Sequence, residues 1–127
     1  ESNFDYKLKL IPTPYEGSLF SLAVGADGSY MVGGLSGTLL RSSDEGATWS
    51  DVDRPKTGNL IDALNLSDGR IVFVSQTGQI IVSDDNGATF KLGAQVQGRI
   101  SIAAVESGPG ELLVATSSGV VQVNLDK

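Results

Sequence analysis

The sequence has no cysteine and no histidine. Without cysteine there is no disulfide, no thiolate metal site and no thiol redox chemistry. Without histidine the commonest general base near neutral pH, and the commonest metal ligand, are gone. Basic residues are few: nine Lys and Arg stand against fifteen Asp and Glu, for a net charge of −6. Neutralising phosphates needs a basic stripe, so nucleic acid is not the expected partner. A polybasic membrane contact is disfavoured on the same ground. No apolar run is long enough to span a bilayer, so direct membrane insertion is not expected. The chain opens at Glu1 rather than Met. That is read as loss of an upstream segment: a signal peptide, a tag or more protein. The lack of cysteine fits export, so a periplasmic, lumenal or extracellular location is expected.

What is present is a repeat. The 127 residues suffice for one domain, and sixteen glycines sit in turn-like settings. The stretch Ser42-Ser43-Asp44-Glu45-Gly46-Ala47-Thr48-Trp49 returns as Ser83-Asp84-Asp85-Asn86-Gly87-Ala88-Thr89-Phe90, its aspartates 41 residues apart. The shared pattern, Ser-x-Asp-x-Gly-x-Thr-aromatic, is the Asp-box, a β-hairpin signature. The series Gly28, Gly69, Gly110, the series Gly37, Gly78, Gly119 and the series Asp44, Asp85, Asp126 keep the same spacing of 41. A fixed period of this length marks a repeat architecture.

Each copy reads as four short strands separated by glycine turns. The third copy stops at Asn124 to Lys127, partway through a degenerate Asp-box and before its outer strand. Continuing the period past the C-terminus lands on Phe4, which opens the alternating stretch Phe4 to Leu10. The expected fold is therefore all-β: three four-stranded antiparallel propeller blades, half of a six-bladed propeller, with the N-terminal strand completing the last blade. The blades are expected at about 18–58, 59–99, and 100–127 plus 4–12, forming a single domain over 1–127. Propellers commonly have at least four blades. Two readings follow: a homodimer forming a six-bladed ring, or one half of a longer propeller chain.

The line Gly34-Leu35-Ser36-Gly37-Thr38-Leu39-Leu40-Arg41-Ser42-Ser43-Asp44-Glu45-Gly46-Ala47-Thr48-Trp49, matched again from Ser75 through Phe90, resembles the BNR-repeat superfamily. It is more specifically similar to the photosystem II stability/assembly factor-like proteins. That resemblance implies a propeller that is exported or lumenal, has no catalytic activity, and helps to build membrane protein complexes. Having only three blades departs from the pattern.

The Asp-boxes themselves are expected to be structural. In Ser42, Asp44, Gly46, Thr48, Trp49 and in Ser83, Asp85, Gly87, Thr89, Phe90, the carboxylate accepts N–H groups of its own turn. The glycine supplies a positive φ, and the aromatic packs. A calcium loop would need an acidic residue at its twelfth position. Counted from Asp84 or Asp85, Gln95 and Val96 stand there. No metal, no cofactor and no catalytic residue is expected. A sialidase likeness would imply a converging arginine triad. Of the four arginines, Arg70 is expected on one face of a propeller, Arg54 and Arg99 on the opposite face, and Arg41 on a third strand, so a triad is not expected to converge within one protomer. No Gly-x-Ser-x-Gly elbow is present, and no glycine turn opens a helix to hold phosphate.

Binding remains. The residues that break the repeat are the expected contacts of a protein partner: Tyr15 and Glu16 in the expanded Pro12–Glu16 connection, Arg54 and Lys56, and Leu35 with its counterpart Gln76. Arg99 joins them. Propeller topology puts these on one face, read as basic and aromatic. A glycan, bound by a carbohydrate-binding or sialidase-like propeller, is the alternative ligand.

Overall fold

The computed structural model describes residues 7–126, which form eleven β-strands and one short 3-10 turn. Strands β1 (Leu19–Val24), β2 (Tyr30–Gly34), β3 (Leu39–Ser42) and β4 (Ser50–Asp51) make the first antiparallel sheet in that order. Strands β5 (Leu60–Asn65), β6 (Ile71–Ser75), β7 (Gln79–Ser83) and β8 (Lys91–Gln95) make the second. Strands β9 (Ser101–Gly108), β10 (Glu111–Thr116) and β11 (Gly119–Asn124) make the third, which has three strands among the described residues. Each sheet is a blade. β1 packs on β5 and β5 on β9, so the three blades stack face to face as an open arc.

The repeat dictates what holds the arc. Ala23, Met31 and Leu39 from blade 1 close on Ile71, Phe73, Ile81 and Phe90 from blade 2. Phe73 and Phe90 meet edge to face, with ring centroids 5.6 Å apart and planes at 79°. A second core joins Val72, Val74 and Ile80 of blade 2 to Ala104, Leu112 and Val114 of blade 3. Blade 2 is therefore covered on both faces. Its strand β6 reads Ile-Val-Phe-Val-Ser, with every residue buried, as a doubly covered strand must.

The period also recurs in single hydrogen bonds. Ser18, Asn59 and Ile100 carbonyls accept the N–H groups of Leu35, Gln76 and Ser117 at 3.2, 2.8 and 2.9 Å. These three pairs sit at equivalent places in the blades.

Two expectations need correction. Among the described residues no strand stands beside β11, the place expected for the N-terminal strand. Lys7 lies in a turn with φ 60°, and no strand covers residues 8–18. Phe4 to Tyr6 lie outside the described residues. The segment instead follows blade 1: the Trp49 indole N–H donates to the Pro12 carbonyl at 3.1 Å, and Ile11 packs on Gly46. In an open arc the last blade does not stand next to the first, so a segment leading into β1 finds blade 1.

The second correction concerns Asp126. Tyr30 pairs with Ser42 and Ile71 with Ser83, but Leu112 pairs with Val123, one residue earlier than the period requires. The hairpin from β10 to β11 turns tightly, with Thr116 opposite Gly119. A one-residue slip exchanges the faces of a strand. Asp126 is thereby taken out of the role of Asp44 and Asp85 and pairs with Arg70 instead.

Candidate partner-binding face

The two Ser-x-Asp-x-Gly-x-Thr turns have the same wiring. Asp44 Oδ1 accepts the Ser42 hydroxyl at 2.8 Å and the Thr48 N–H at 2.9 Å, and Oδ2 accepts the Thr48 hydroxyl at 2.6 Å. The Gly46 N–H donates back to Ser42 Oγ at 2.8 Å. Asp85 repeats this with Ser83 and Thr89 at 2.7, 3.0 and 2.7 Å, and Gly87 N–H reaches Ser83 Oγ at 2.9 Å. Donors from Thr48 and Ser42 hold the Asp44 carboxyl down to about 2. Those from Ser83 and Thr89 do the same for Asp85. A carboxylate already engaged by its own turn has little capacity left for a ligand.

Gly46 and Gly87 adopt φ of 91° and 85°. Gly87 also lies directly under the Met31 side chain of the neighbouring blade, so a Cβ there has no room. Phe90 is buried in the blade 1–blade 2 core, whereas Trp49, its repeat counterpart, stays partly exposed.

Three of the four arginines are fastened internally. Arg41 donates to Asp27 Oδ2 and to the Asn86 carbonyl, both at 3.0 Å, clasping blade 1 to blade 2. The Ser29 hydroxyl and N–H, and to a lesser extent the Arg41 charge, lower the Asp27 carboxyl. Arg70 bridges Asp68 at 2.9 Å and Asp126 at 3.0 Å, clasping blade 2 to blade 3. These two lie at the rim of the first-to-second-strand turns. Arg54 lies at the other rim. Its Nε–H donates to the Gly37 carbonyl at 2.7 Å and its Nη1–H to Val52 O at 2.6 Å and Asp51 Oδ1 at 3.0 Å. No converging triad forms from Arg41, Arg54 and Arg70.

The expected contact residues do gather on the rim that carries Arg54. Leu35 opens the 3-10 turn Leu35–Gly37. The Ser36 N–H donates to Asn59 Oδ1 at 2.9 Å, and Asn59 Nδ2–H to Gln76 Oε1 at 3.1 Å. The Ser101 N–H then reaches the Gln76 carbonyl at 3.0 Å. This chain of polar contacts ties the same rim of all three blades. Tyr15 folds over Gly17, next to Ser18 and so to Leu35, and Tyr15 is half-buried. Glu16, Lys56 and Arg99 are exposed. Between the Leu35–Gly37 turn and the Asp51–Thr57 connection lies an open depression of about 350 Å³, lined in part by Asp51, Asp53, Arg54 and Lys56.

The seven residues therefore differ in kind. Arg54 and Gln76 hold the scaffold. Asp51 and Asp53 also temper the positive charge expected here, so this rim is mixed in sign rather than basic. Sequence reasoning missed Asn59, whose side chain joins two turns. Its only signal was a polar residue just ahead of the apolar strand β5. It also missed the interblade clasps Arg41–Asn86 and Arg70–Asp126, since Asn86 and Asp126 looked like ordinary turn residues.

No protein-family model matches the sequence, and no curated protein matches it. Solved structures do. YCF48 from Cyanidioschyzon merolae aligns with a TM-score of 0.72 at 20% identity, over 92% of this chain and 37% of that one. The extracellular domain of BT4673 from B. thetaiotaomicron aligns in two crystal structures with TM-scores of 0.67 and 0.63. These alignments have 16% and 17% identity and cover 91% and 87% of this chain. The chain spans 37% of the length of YCF48 and 17% of that of the BT4673 domain. At these identities the likeness establishes the fold: an arc of β-propeller blades.

Proposed function

We propose that this chain is a non-enzymatic, protein-binding propeller scaffold, similar in role to assembly factors for membrane protein complexes. Its Asp-box turns serve as staples of a BNR-type repeat. One observation carries the reading. The aspartates of both turns, three of the four arginines and Gln76 all spend their hydrogen-bonding capacity inside the arc. Glu16, Lys56 and Arg99 remain exposed along one rim, with Tyr15 and Leu35 beside them. A rigid rim of loops with unspent charges suits recognition better than catalysis. An exported location accords with the extracellular BT4673 domain and with the absence, among the described residues, of a helix long and apolar enough to cross a membrane.

The test is the double substitution Lys56→Glu with Arg99→Glu. Partner recovery by cross-linking and mass spectrometry is expected to fall at least tenfold, with an unchanged melting temperature. Unchanged recovery would overturn the rim as the contact surface. On a glycan array, binding that survives the double substitution would favour the carbohydrate-binding reading instead.

A further inference from the structure

The two end blades expose apolar faces that the interior blade junction explains. On blade 1 the outward face carries Leu22 and Val24, 64% and 49% exposed, the half-buried Tyr30 and Trp49, and the buried Val32 and Leu40. With Ile11 and Thr13 it frames an open cleft of about 410 Å³. On blade 3 the uncovered face carries Ala103, Val105, Leu113, Ala115 and Val120, with Val105 57% and Val120 68% exposed. Charge enters these faces only at their edges, at Asp51 opposite Leu40 and at Glu111 two residues before Leu113, and Gln122 stands opposite Leu113. Their centres are apolar, whereas a sheet face meant for water alternates toward polar side chains.

The interior junction shows what such faces fit. At the blade 1–blade 2 contact the receiving face presents Ile71, Phe73, Ile81 and Phe90, and the entering face presents Ala23 and Met31. Tyr30, Val32, Leu40 and Trp49 stand 41 residues before those receiving residues. Val105 and Leu113 stand 82 residues after those entering ones. The open face of blade 1 is thus a repeat of the receiving face, and on β9 and β10 that of blade 3 repeats the entering face. The third entering residue, Leu39, has its counterpart Val121 turned to the interior core by the slip of β11. Met31 rests on Gly87, and the corresponding seat on blade 1 is Gly46. In the single chain Ile11 fills that seat.

We propose that the open face of blade 1 receives the open face of blade 3 of a second copy of this chain, Leu113 of one copy taking the seat on Gly46 that Ile11 fills in the single chain. Two such junctions close two arcs into one ring of six blades. Ile11 is then a plug that yields, and the segment carrying it is free to run beside β11 of the other copy, whose outer edge has no partner strand among the described residues. A contact between unlike faces must close on itself or polymerise, and six blades fall within the range in which propellers close.

The test is the mass in solution of the 127-residue chain over a concentration series, by light scattering after size exclusion. Twice the 13.2 kDa chain is expected. Leu113→Asp, on a surface of the single chain, should weaken self-association at least tenfold while leaving the circular dichroism spectrum and melting of the monomer intact. Leu22→Asp should do the same. Ile11→Gly should tighten self-association. A mixture of the Leu113→Asp and Leu22→Asp chains should associate more tightly than either alone, because one of its two junctions has both faces intact. A monomer throughout the series overturns the proposal. So does a dimer indifferent to Leu113→Asp, which would place like faces of blade 1 together.

Discussion

Arg70 and Asp126 form a two-point ion pair across blades 2 and 3, Nη1 to Oδ1 at 3.0 Å and Nη2 to Oδ2 at 3.2 Å. The pair exists because the last hairpin is one residue shorter than the others. It raises the pKa of the guanidinium, Asp126 being the main cause. The Asp126 side chain is 56% exposed, so water and salt screen the pair. Asp126→Asn is expected to destabilise the chain by about 0.5 kcal/mol, in the range of exposed pairs. The difference from the parent in urea midpoints should shrink in 1 M salt.

The aspartates of the repeated turns set an acid limit. Both carboxyls titrate at about 2 in the folded chain against an ordinary value of 3.8. A depressed folded pKa means stability that is complete above 3.8 and is lost as pH falls toward about 2. The pair Asp44→Asn with Asp85→Asn should flatten denaturation midpoints across that window. Asp27 and Asp68, lowered chiefly by Ser29 and by the Arg70 N–H, should retain part of the slope.

Gly28 and Gly87 separate backbone strain from crowding. Both have φ near 86°, at 86° and 85°. A Cβ at Gly28 meets nothing, whereas one at Gly87 runs into the Met31 side chain. Gly28→Ala should cost roughly 1–2 kcal/mol, the left-handed penalty alone. Gly87→Ala should cost about 1–3 kcal/mol more from overpacking. Met31→Ala combined with Gly87→Ala should recover part of that increment in a double-mutant cycle by thermal melting.

Arg54 and Lys56 should behave oppositely despite being two residues apart. Arg54→Ala frees the Gly37 and Val52 carbonyls and is expected to cost about 1–3 kcal/mol. Lys56→Ala, at an exposed position, should leave the urea midpoint unchanged within error. A stability loss from Lys56→Ala of the same size would contradict this division of roles.

The 41-residue repeat makes most of the architecture legible in the sequence. Spacing of Gly28, Gly69 and Gly110 located three blades, and Gly46 and Gly87 marked the turns whose positive φ is observed. What stayed hidden was of two kinds. A period says which residues are equivalent, not which neighbour is present, so it carried the N-terminal segment to blade 3, whereas Ile11 and Pro12 of that segment touch Gly46 and Trp49. Long side chains reaching backbone atoms leave no periodic trace. Arg54 therefore looked free although it holds the Gly37 carbonyl, and Asn59 passed unnoticed although it joins Ser36 to Gln76. The sparing turn at Ser117 and Ser118 was masked because Gly119 kept its place in the glycine series.

Blade 2 alone has neighbours on both faces, and β6 is buried throughout. In a stack where each unit touches only the next, stability is a sum of unit terms and junction terms. The middle unit owns two junctions and each end unit one. Opening should therefore begin at either end and reach the centre last. Amide hydrogens of Val72, Phe73 and Val74 are then the slowest to exchange with deuterium, and β2 and β10 exchange earlier through partial opening of their own blades. Closing the ends of the stack would erase that gradient.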